Sequence, residues 1–194
     1  MLITTTLLLD RLHDSRDEGA WRLFDDRFRG VIVATGLRLG LSRTDAEEAA
    51  QETIAQALRD YQAGRYDRSR GRLSSWIVSI AHHRIVDTQR ARKPHIEIDD
   101  GMVETRASDV AAAFNLALEK HIFERAWELV RTTSNASAGT LLAFELTSLR
   151  SVPASEAALQ CGMTVEQVYV ARNRVSERLR DAVEKIDRAV RDGL

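Results

Sequence analysis

The feature that most constrains the fold is the helical spacing of core-type residues along almost the whole chain. Between residues 17 and 40 such residues recur every three or four positions: Trp21, Phe24, Phe28, Ile32 and Thr35. No run of alternating apolar and polar residues, bounded by turns, indicates a strand. Only two prolines occur in 194 residues, so long helices are permitted. The chain is therefore predicted to be all-α.

The helical pattern falls into two groups separated by an acidic stretch. Helices are predicted over 17–40, 42–61 and about 73–93, with a basic loop at 63–72. Pro94 ends the third helix, and a second helical group begins near Ala111. We therefore predict two small helical domains, 1–93 and 111–194, joined by an acidic linker at 94–110.

Composition excludes several classes of protein. The chain is 44% hydrophobic and 29% charged, which is typical of a globular protein. The single cysteine, Cys161, rules out an internal disulfide framework and suits a reducing compartment. The N-terminal stretch lacks a basic region before its short apolar run, and no segment reaches the roughly 18–20 apolar residues of a membrane span. A cytoplasmic protein without membrane partners is expected.

The net charge of −1 conceals strongly charged blocks. Residues 64–93 contain eight cations and two acids, a balance of +6, and residues 172–180 contain four arginines and one glutamate, or +3. Residues 44–60 and 97–109 each contain five acids and one arginine, or −4. Two basic blocks separated by acidic ones suggest two anionic contacts and a surface for a different partner. Solvated helix faces of mixed charge are the alternative.

Residues 155–179 have the spacing of a helix-turn-helix. Cys161 and Gly162 form the turn, and Thr164 is placed to cap the second helix. At about 100° per residue, one arc of that helix is apolar: Val165, Val168, Val175, Leu179, Val183 and Ile186. The opposite arc carries Glu166, Tyr169, Val170, Asn173, Arg174 and Arg180. This division suits a helix that reads the major groove, although an arginine-rich helical hairpin would also fit.

The first half contains two helices with different outer faces. On helix 42–61 the predicted buried side is Ala50, Ile54, Ala57, Leu58 and Tyr61, while Asp45, Glu48, Glu52 and Gln56 are expected to point away. On the third helix Arg84 interrupts the apolar arc and must extend to the surface or pair. The polar arc of that helix carries cations, serines and histidines, with Trp76 at its edge. Cations contact phosphates, and an aromatic ring can stack on an unpaired base.

Neither catalysis nor metal binding is expected. A metal-dependent hydrolase using His82, His83 and Asp87 is a possible reading of the third helix. Adjacent histidines on a helix point about 100° apart, however, and no HExxH or CxxC motif supplies further ligands. We predict no catalytic residue, no metal, no cofactor and no small-molecule substrate.

Three motifs together resemble one family, the extracytoplasmic-function (ECF) sigma factors of bacterial RNA polymerase. "DAEEAAQETIAQAL" (45–58) resembles that family's DAED-x-x-QE-x-F stretch. "RGRLSSWIVSIAHHRIVDTQRARK" (70–93) resembles its F-x-x-WL-x-x-IA-x-N-x-x-x-D-x-x-R-R stretch. "AALQCGMTVEQVYVARNRVSERLRDAV" (157–183) resembles its terminal helix-turn-helix. The order and spacing agree over nearly the whole chain, including the linker.

The resemblance implies a two-domain alternative sigma factor that opens promoters and is not an enzyme. Its partners would be core RNA polymerase, through the β′ coiled coil and the β flap, promoter DNA and, as a further candidate, an anti-sigma factor. The positions implied to dock on the β′ coiled coil are Asp45, Glu48, Gln51 and Glu52. The positions implied at the −10 element are Arg72, Trp76, Ser79, His82, His83, Arg90, Arg92 and Lys93. Those implied at the −35 element are Thr164, Gln167, Tyr169, Val170, Asn173, Arg174 and Arg178.

The chain departs from the family pattern at several of these positions. Leu73 replaces the usual Phe, and His83 stands where Asn is common. The second helix of the helix-turn-helix carries Tyr169, Arg172 and Asn173, so the −35 sequence does not transfer from the family. A regulator that uses only the helix-turn-helix and binds duplex DNA without polymerase is the second hypothesis, against which the acidic face of helix 42–61 argues.

Overall fold

The computed structural model describes residues 5–14, 16–92 and 105–191, and every regular element in these ranges is helical. Eight α-helices occur there: α1 (Thr5–Leu12), α2 (Glu18–Arg38), α3 (Arg43–Gln62), α4 (Leu73–Arg92), α5 (Ala107–Thr133), α6 (Ala138–Phe144), α7 (Ala154–Cys161) and α8 (Val165–Arg191). A 3₁₀ turn at Arg68–Arg70 precedes α4, and a π-helical turn at Glu145–Leu149 extends α6. The all-α prediction is confirmed. None of the helices described is long and apolar enough to cross a membrane.

Helices α2 and α3 begin and end close to the predicted positions. The Ser42 side chain accepts a hydrogen bond from the Asp45 backbone N–H, which satisfies one of the unpaired donors at the start of α3. Helix α2 ends at Arg38, and Gly40 follows with φ +86°, a conformation that glycine adopts without strain. The predicted stop at this glycine is therefore correct to within two residues.

Helix α5 begins at Ala107, four residues before the predicted start at Ala111. The reason is the burial of Val110, whose side chain is inaccessible and packs in one cluster with Ala49 and Ile85. Burying a valine in this way contributes roughly 1.5–3 kcal/mol, enough to stabilise an extra helical turn. The rest of the predicted linker, 94–104, lies outside the described residues.

The described residues form two compact units. One comprises the described parts of Met1–His121 and Arg188–Leu194, and the other comprises Ile122–Asp187. These boundaries fall within α5 and α8. The division of the chain into domains at 1–93 and 111–194, with a linker at 94–110, stays a prediction.

The core of the first unit lies where α1 packs on α2, α2 on α3 and α3 on α4. Phe24, Phe28 and Phe114 are fully buried there, and the first two rings have centroids 5.2 Å apart. Gly36 lets α2 approach α3 closely, because a Cβ at this position would lie 3.1 Å from the Cβ of Ala46. Helix α4 packs on α3, and its side chains Ile77, Ala81 and Ile85 are buried.

The core of the second unit is small and built from short side chains. It contains Ala143, Leu146, Ala157, Ala158, Val168 and Ala171. Cys161 packs at the edge of this cluster, where its thiol acts as a small apolar side chain. Side chains from α7 and from the start of α8 share this cluster, which joins the two helices of the helix-turn-helix.

Candidate nucleic-acid and protein-binding surfaces

The loop before α4 is a compact basic structure. Asp67 accepts hydrogen bonds from the hydroxyl and the backbone N–H of Ser69, which cap the 3₁₀ turn and lower the pKa of the Asp67 carboxyl. The Tyr66 hydroxyl donates to the carbonyl oxygen of Gly71 at 3.2 Å, so the loop closes on itself. Arg65 pairs with Asp60 of α3 at 2.7 Å. The loop is thus an ordered platform attached to α3.

A cleft of about 400 Å³ lies between this loop and the start of α4. Its walls include the rings of Tyr66 and Trp76, whose centroids are 5.0 Å apart at an interplanar angle of 40°. The residues that line it are Arg65, Tyr66, Asp67, Arg70, Gly71, Arg72, Ser75 and Trp76. Partial burial raises the pKa of the Tyr66 hydroxyl, which therefore stays protonated as a donor. We call this the aromatic–arginine cleft; its chemistry suits an unpaired base with its phosphate.

A second cleft of about 450 Å³ lies between α4 and the first turns of α5. Ser79, His82 and His83 line it from α4, with Ala107, Ala111 and Asn115 opposite. The backbone oxygen of Thr105 lies 3.4 Å from His82 Nε2. The predicted −10 residues therefore lie in two different clefts. Arg72 and Trp76 line the aromatic–arginine cleft, whereas Ser79, His82 and His83 line the second cleft.

His82 and His83 lie beside each other on α4. The ring centroids of His82 and His83 are 5.4 Å apart and tilted by 56°. Within the part of the chain that the structure describes, no group of three or more His, Cys, Asp or Glu side chains could hold a metal ion.

The C-terminal cations of α4 have different surroundings. Arg90 and Arg92 are exposed at the helix end. Arg92 also reaches back to α3, where it donates to the Ser42 hydroxyl at 3.1 Å and forms an ion pair with Asp45. Lys93, which the sequence also places at the −10 element, lies outside the described residues.

The acidic face of α3 is only partly as predicted. Glu48, Gln51 and Glu52 are exposed. The expectation that Asp45 points away from the core is wrong, since Asp45 is only 8% exposed. Its carboxylate accepts the Ser42 hydroxyl at 2.6 Å and pairs with Arg92.

Arg84 of α4 also reaches the acidic helix. It lies 3.7 Å from Glu52 and 3.5 Å from the side-chain oxygen of Gln56, as its interrupted apolar arc required. Together with the Arg92–Asp45 pair, this contact joins α3 and α4 along their polar edges.

The helix-turn-helix forms as predicted in the second unit. Helix α7 ends at Cys161, and Gly162 takes the left-handed conformation with φ +63°. The backbone N–H of Met163 then bonds to the carbonyl of Ala158 at 2.9 Å. Thr164 and Gln167 cap α8 reciprocally: each backbone N–H bonds to the other side chain, at 2.8 Å and 3.2 Å. Both side chains are therefore engaged in starting the helix.

The outer face of α8 carries the remaining predicted −35 residues. Tyr169 and Val170 are 46% and 48% exposed, and Asn173, Arg174 and Arg178 are also exposed. The guanidinium of Arg172 lies 5.2 Å from the centroid of the Tyr169 ring. The inner arc is buried or half-buried, so the predicted division of the helix is confirmed.

Sequence reasoning missed Tyr66, Arg65 and Arg70 as members of the first cleft. The stretch "RYDRSRGR" was predicted as a basic loop, but its aromatic residue was not singled out. The signal available was the placement of one aromatic residue among alternating cations, directly before a helix that carries Trp76. Only a folded loop shows that the two rings form one wall.

The fold thus presents a basic, aromatic-lined cleft in the first unit and a helix-turn-helix with exposed arginines in the second. Residues 25–94 match the Sigma-70 region 2 family. The ECF RNA polymerase sigma factor RpoE of Cereibacter sphaeroides is 31% identical to this chain over 91 residues, which are 46% of this chain and 49% of that protein. The chain thus spans about half the length of the curated relative it matches. These findings confirm the resemblance to ECF sigma factors, and residues 25–94 are similar to Sigma-70 region 2.

Proposed function

We propose that this chain is an alternative sigma factor that binds core RNA polymerase and directs promoter-specific initiation. The observation that carries this proposal is the aromatic–arginine cleft, because it lies within residues 25–94, which match Sigma-70 region 2. The protein would supply binding and positioning, with no catalytic step, metal or cofactor of its own. It would act in the cytoplasm, where the polymerase is found.

At the −10 element, the cleft would take a base released from the duplex. The rings of Tyr66 and Trp76 give it a surface to stack on, and Arg65, Arg70 and Arg72 line the same cleft beside them. Base–aromatic stacking is worth roughly 1–3 kcal/mol per base, enough to offset the unstacking of one base. Further −10 contacts are assigned to Ser79, His82, His83, Arg90, Arg92 and Lys93.

At the −35 element, α8 would enter the major groove through its N-terminal half. Asn173 is suited to adenine, Arg174 to guanine and Val170 to a thymine methyl group. Thr164 and Gln167 already cap the helix, so we place them at the phosphates rather than at base edges. Tyr169 and Arg178 complete the exposed face.

Polymerase would dock on the exposed acids of α3. Glu48, Gln51 and Glu52 form a surface directed away from the core, which suits a basic partner such as the β′ coiled coil. Asp45 would support this surface from within α3, given its burial. The second domain would meet the β flap, and an anti-sigma factor is a further partner of the family type.

The decisive experiment is run-off transcription with purified core polymerase and a library of genomic promoters. We expect initiation at a distinct promoter set only when the protein is present, and co-elution of the protein with core. A protein that binds duplex DNA alone but never redirects the polymerase would contradict the proposal and support the helix-turn-helix regulator. The Sigma-70 region 2 match lies outside the helix-turn-helix, which disfavours that regulator.

Charge reversal on α3 tests the docking surface. Glu48→Arg with Glu52→Arg should abolish core binding while the helical circular dichroism spectrum is unchanged. Asp181→Arg with Glu184→Arg on α8 is the matched control, because both acids are exposed and the charge change is the same. Core affinity that survives the α3 reversal in a folded protein would contradict the docking assignment.

A further inference from the structure

Helix α1 is fixed to the first unit from several sides. Its own side chains Leu8, Leu9 and Leu12 are buried. At its C-terminal end Arg11 makes two hydrogen bonds to Asp17, at 2.7 Å and 2.8 Å. Asp17 is in turn the N-cap of α2. An eight-residue helix is too short to be stable alone, so these contacts determine where it lies.

Tyr61 connects α1 to the end of α3. The tyrosine is 8% exposed, and its hydroxyl donates to the carbonyl oxygen of Leu9 at 2.8 Å. That carbonyl belongs to the last turn of α1. His13 Nε2 lies 2.9 Å from the same hydroxyl, an arrangement satisfied when this nitrogen carries a proton and donates.

A continuous series of rings runs from α1 to the aromatic–arginine cleft. Centroid separations are 4.9 Å for His13–Tyr61, 6.2 Å for Tyr61–Tyr66 and 5.0 Å for Tyr66–Trp76. A second contact runs beside it, where Arg68 of the loop donates to the Thr6 hydroxyl at 3.1 Å. The loop that forms one wall of the cleft is therefore in direct contact with α1 at Thr6, and Tyr61 of α3 links it to the C-terminal end of α1.

We propose that α1, acting through Tyr61, is a positioning element for the base-binding wall of the aromatic–arginine cleft. The Tyr61 ring sets the lateral position of Tyr66, and its two hydroxyl contacts hold the ring in one orientation. Tyr61 itself does not line the cleft and is a positioning residue. The expected effect on promoter binding rests on the proposed function. The positioning of the loop by Tyr61 does not depend on that function.

Tyr61→Phe tests the positioning directly, because it removes the hydroxyl and keeps the ring. Hydrogen exchange of the amides of residues 64–72 should become about 2–10 times faster, as expected for the loss of one or two neutral hydrogen bonds, while α2 exchanges as before. Tyr169→Phe on the exposed face of α8 is the matched control and should leave the loop unchanged. Equal loop exchange in Tyr61→Phe and wild type would overturn the proposal.

The functional arm uses the full-length protein and a fluorescein-labelled dodecathymidylate as a single-stranded probe. Tyr61→Phe should bind it about three- to tenfold more weakly, part of the roughly 5–150-fold that one full stack is worth. Affinity for core polymerase should stay the same, which a general loss of structure would not allow. Unchanged oligonucleotide affinity in a variant with a faster-exchanging loop would also overturn the proposal.

A second, more conservative substitution tests the proposal in case Tyr61→Phe does not fold. Thr6→Val removes only the hydroxyl that Arg68 contacts and should speed loop exchange in the same direction by a smaller factor. If wild type itself fails to bind the probe, the proposed function is at fault, and the exchange data alone decide the positioning role.

Discussion

Asp45 offers the sharpest separation between a structural and a docking role on α3. Three contacts of its carboxylate contribute to stability. A negative charge in the first helical turn is worth about 0.3–1 kcal/mol, and the hydrogen bond from Ser42 about 1 kcal/mol. The ion pair with Arg92 adds about 0–1 kcal/mol, because the Arg92 side chain is 51% exposed and solvent screens the pair. Asp45→Ala should therefore lower the free energy of unfolding by about 1.5–3 kcal/mol.

Thermal unfolding followed by circular dichroism would show this loss. For a chain of this length about 1 kcal/mol shifts the midpoint by roughly 2–4 °C, so Asp45→Ala should melt about 3–12 °C lower. Glu48→Ala is the matched control three residues later. The Glu48 side chain is exposed, so its removal should change the free energy of unfolding by no more than about 0.5 kcal/mol. Core-polymerase affinity, measured well below both midpoints, should fall for Glu48→Ala.

A double-mutant cycle with Arg92→Ala isolates the ion pair. Coupling of about 0.5–1 kcal/mol between the two substitutions is expected for residues in direct contact. If Asp45→Ala unfolds within about 0.5 kcal/mol of wild type, Asp45 is not a structural residue and the reasoning from its burial fails.

Two further predictions concern stability. The hydrogen bonds from Arg11, and then from the Ala20 N–H, lower the pKa of Asp17 to about 2, so its stabilising contribution is complete above pH 4 and disappears as the pH falls through 2. The difference in melting midpoint between wild type and Asp17→Asn should therefore shrink between pH 5 and pH 2; a constant difference would contradict the ion pair. Ser151 has φ +57°, so Ser151→Gly should raise the free energy of unfolding by about 0.5–1 kcal/mol, whereas Ser148→Gly, in the π-helical turn, should lower it by a similar amount. Urea unfolding of both variants checks the sign, and a loss of stability in Ser151→Gly would refute the strain argument.

Local features of the fold could be predicted well from the sequence. The arcs of α8 follow from 3.6-residue periodicity alone, since every predicted inward residue is buried or half-buried and every predicted outward one is exposed. The Gly162 turn and the cap at Ser42 also depend on residues adjacent in the chain. Such features need no knowledge of tertiary contacts.

Features that depend on distant residues could not be predicted. The helical projection places Asp45 on the outer face, but the residue is buried and pairs with Arg92, 47 positions away in the chain. The early start of α5 depends in the same way on a slot between α3 and α4 that receives Val110. The Tyr66–Trp76 wall likewise exists only once the loop has closed on Gly71.

The same tertiary pairing reduces the number of cations in the basic block of residues 64–93 that would be available to contact phosphates. The sequence counts eight cations there, but three of them have acidic partners on α3: Arg65 with Asp60, Arg84 with Glu52 and Arg92 with Asp45. Each phosphate contact by a single strand contributes about −0.7 to the slope of log affinity against log salt. Eight contacts would give a slope near −5.6, and the loss of the three paired cations would make it shallower by about 2.1. Under the proposed function, affinity at the −10 element would therefore depend more on stacking in the aromatic–arginine cleft, which salt does not screen, than the charge of the sequence indicates.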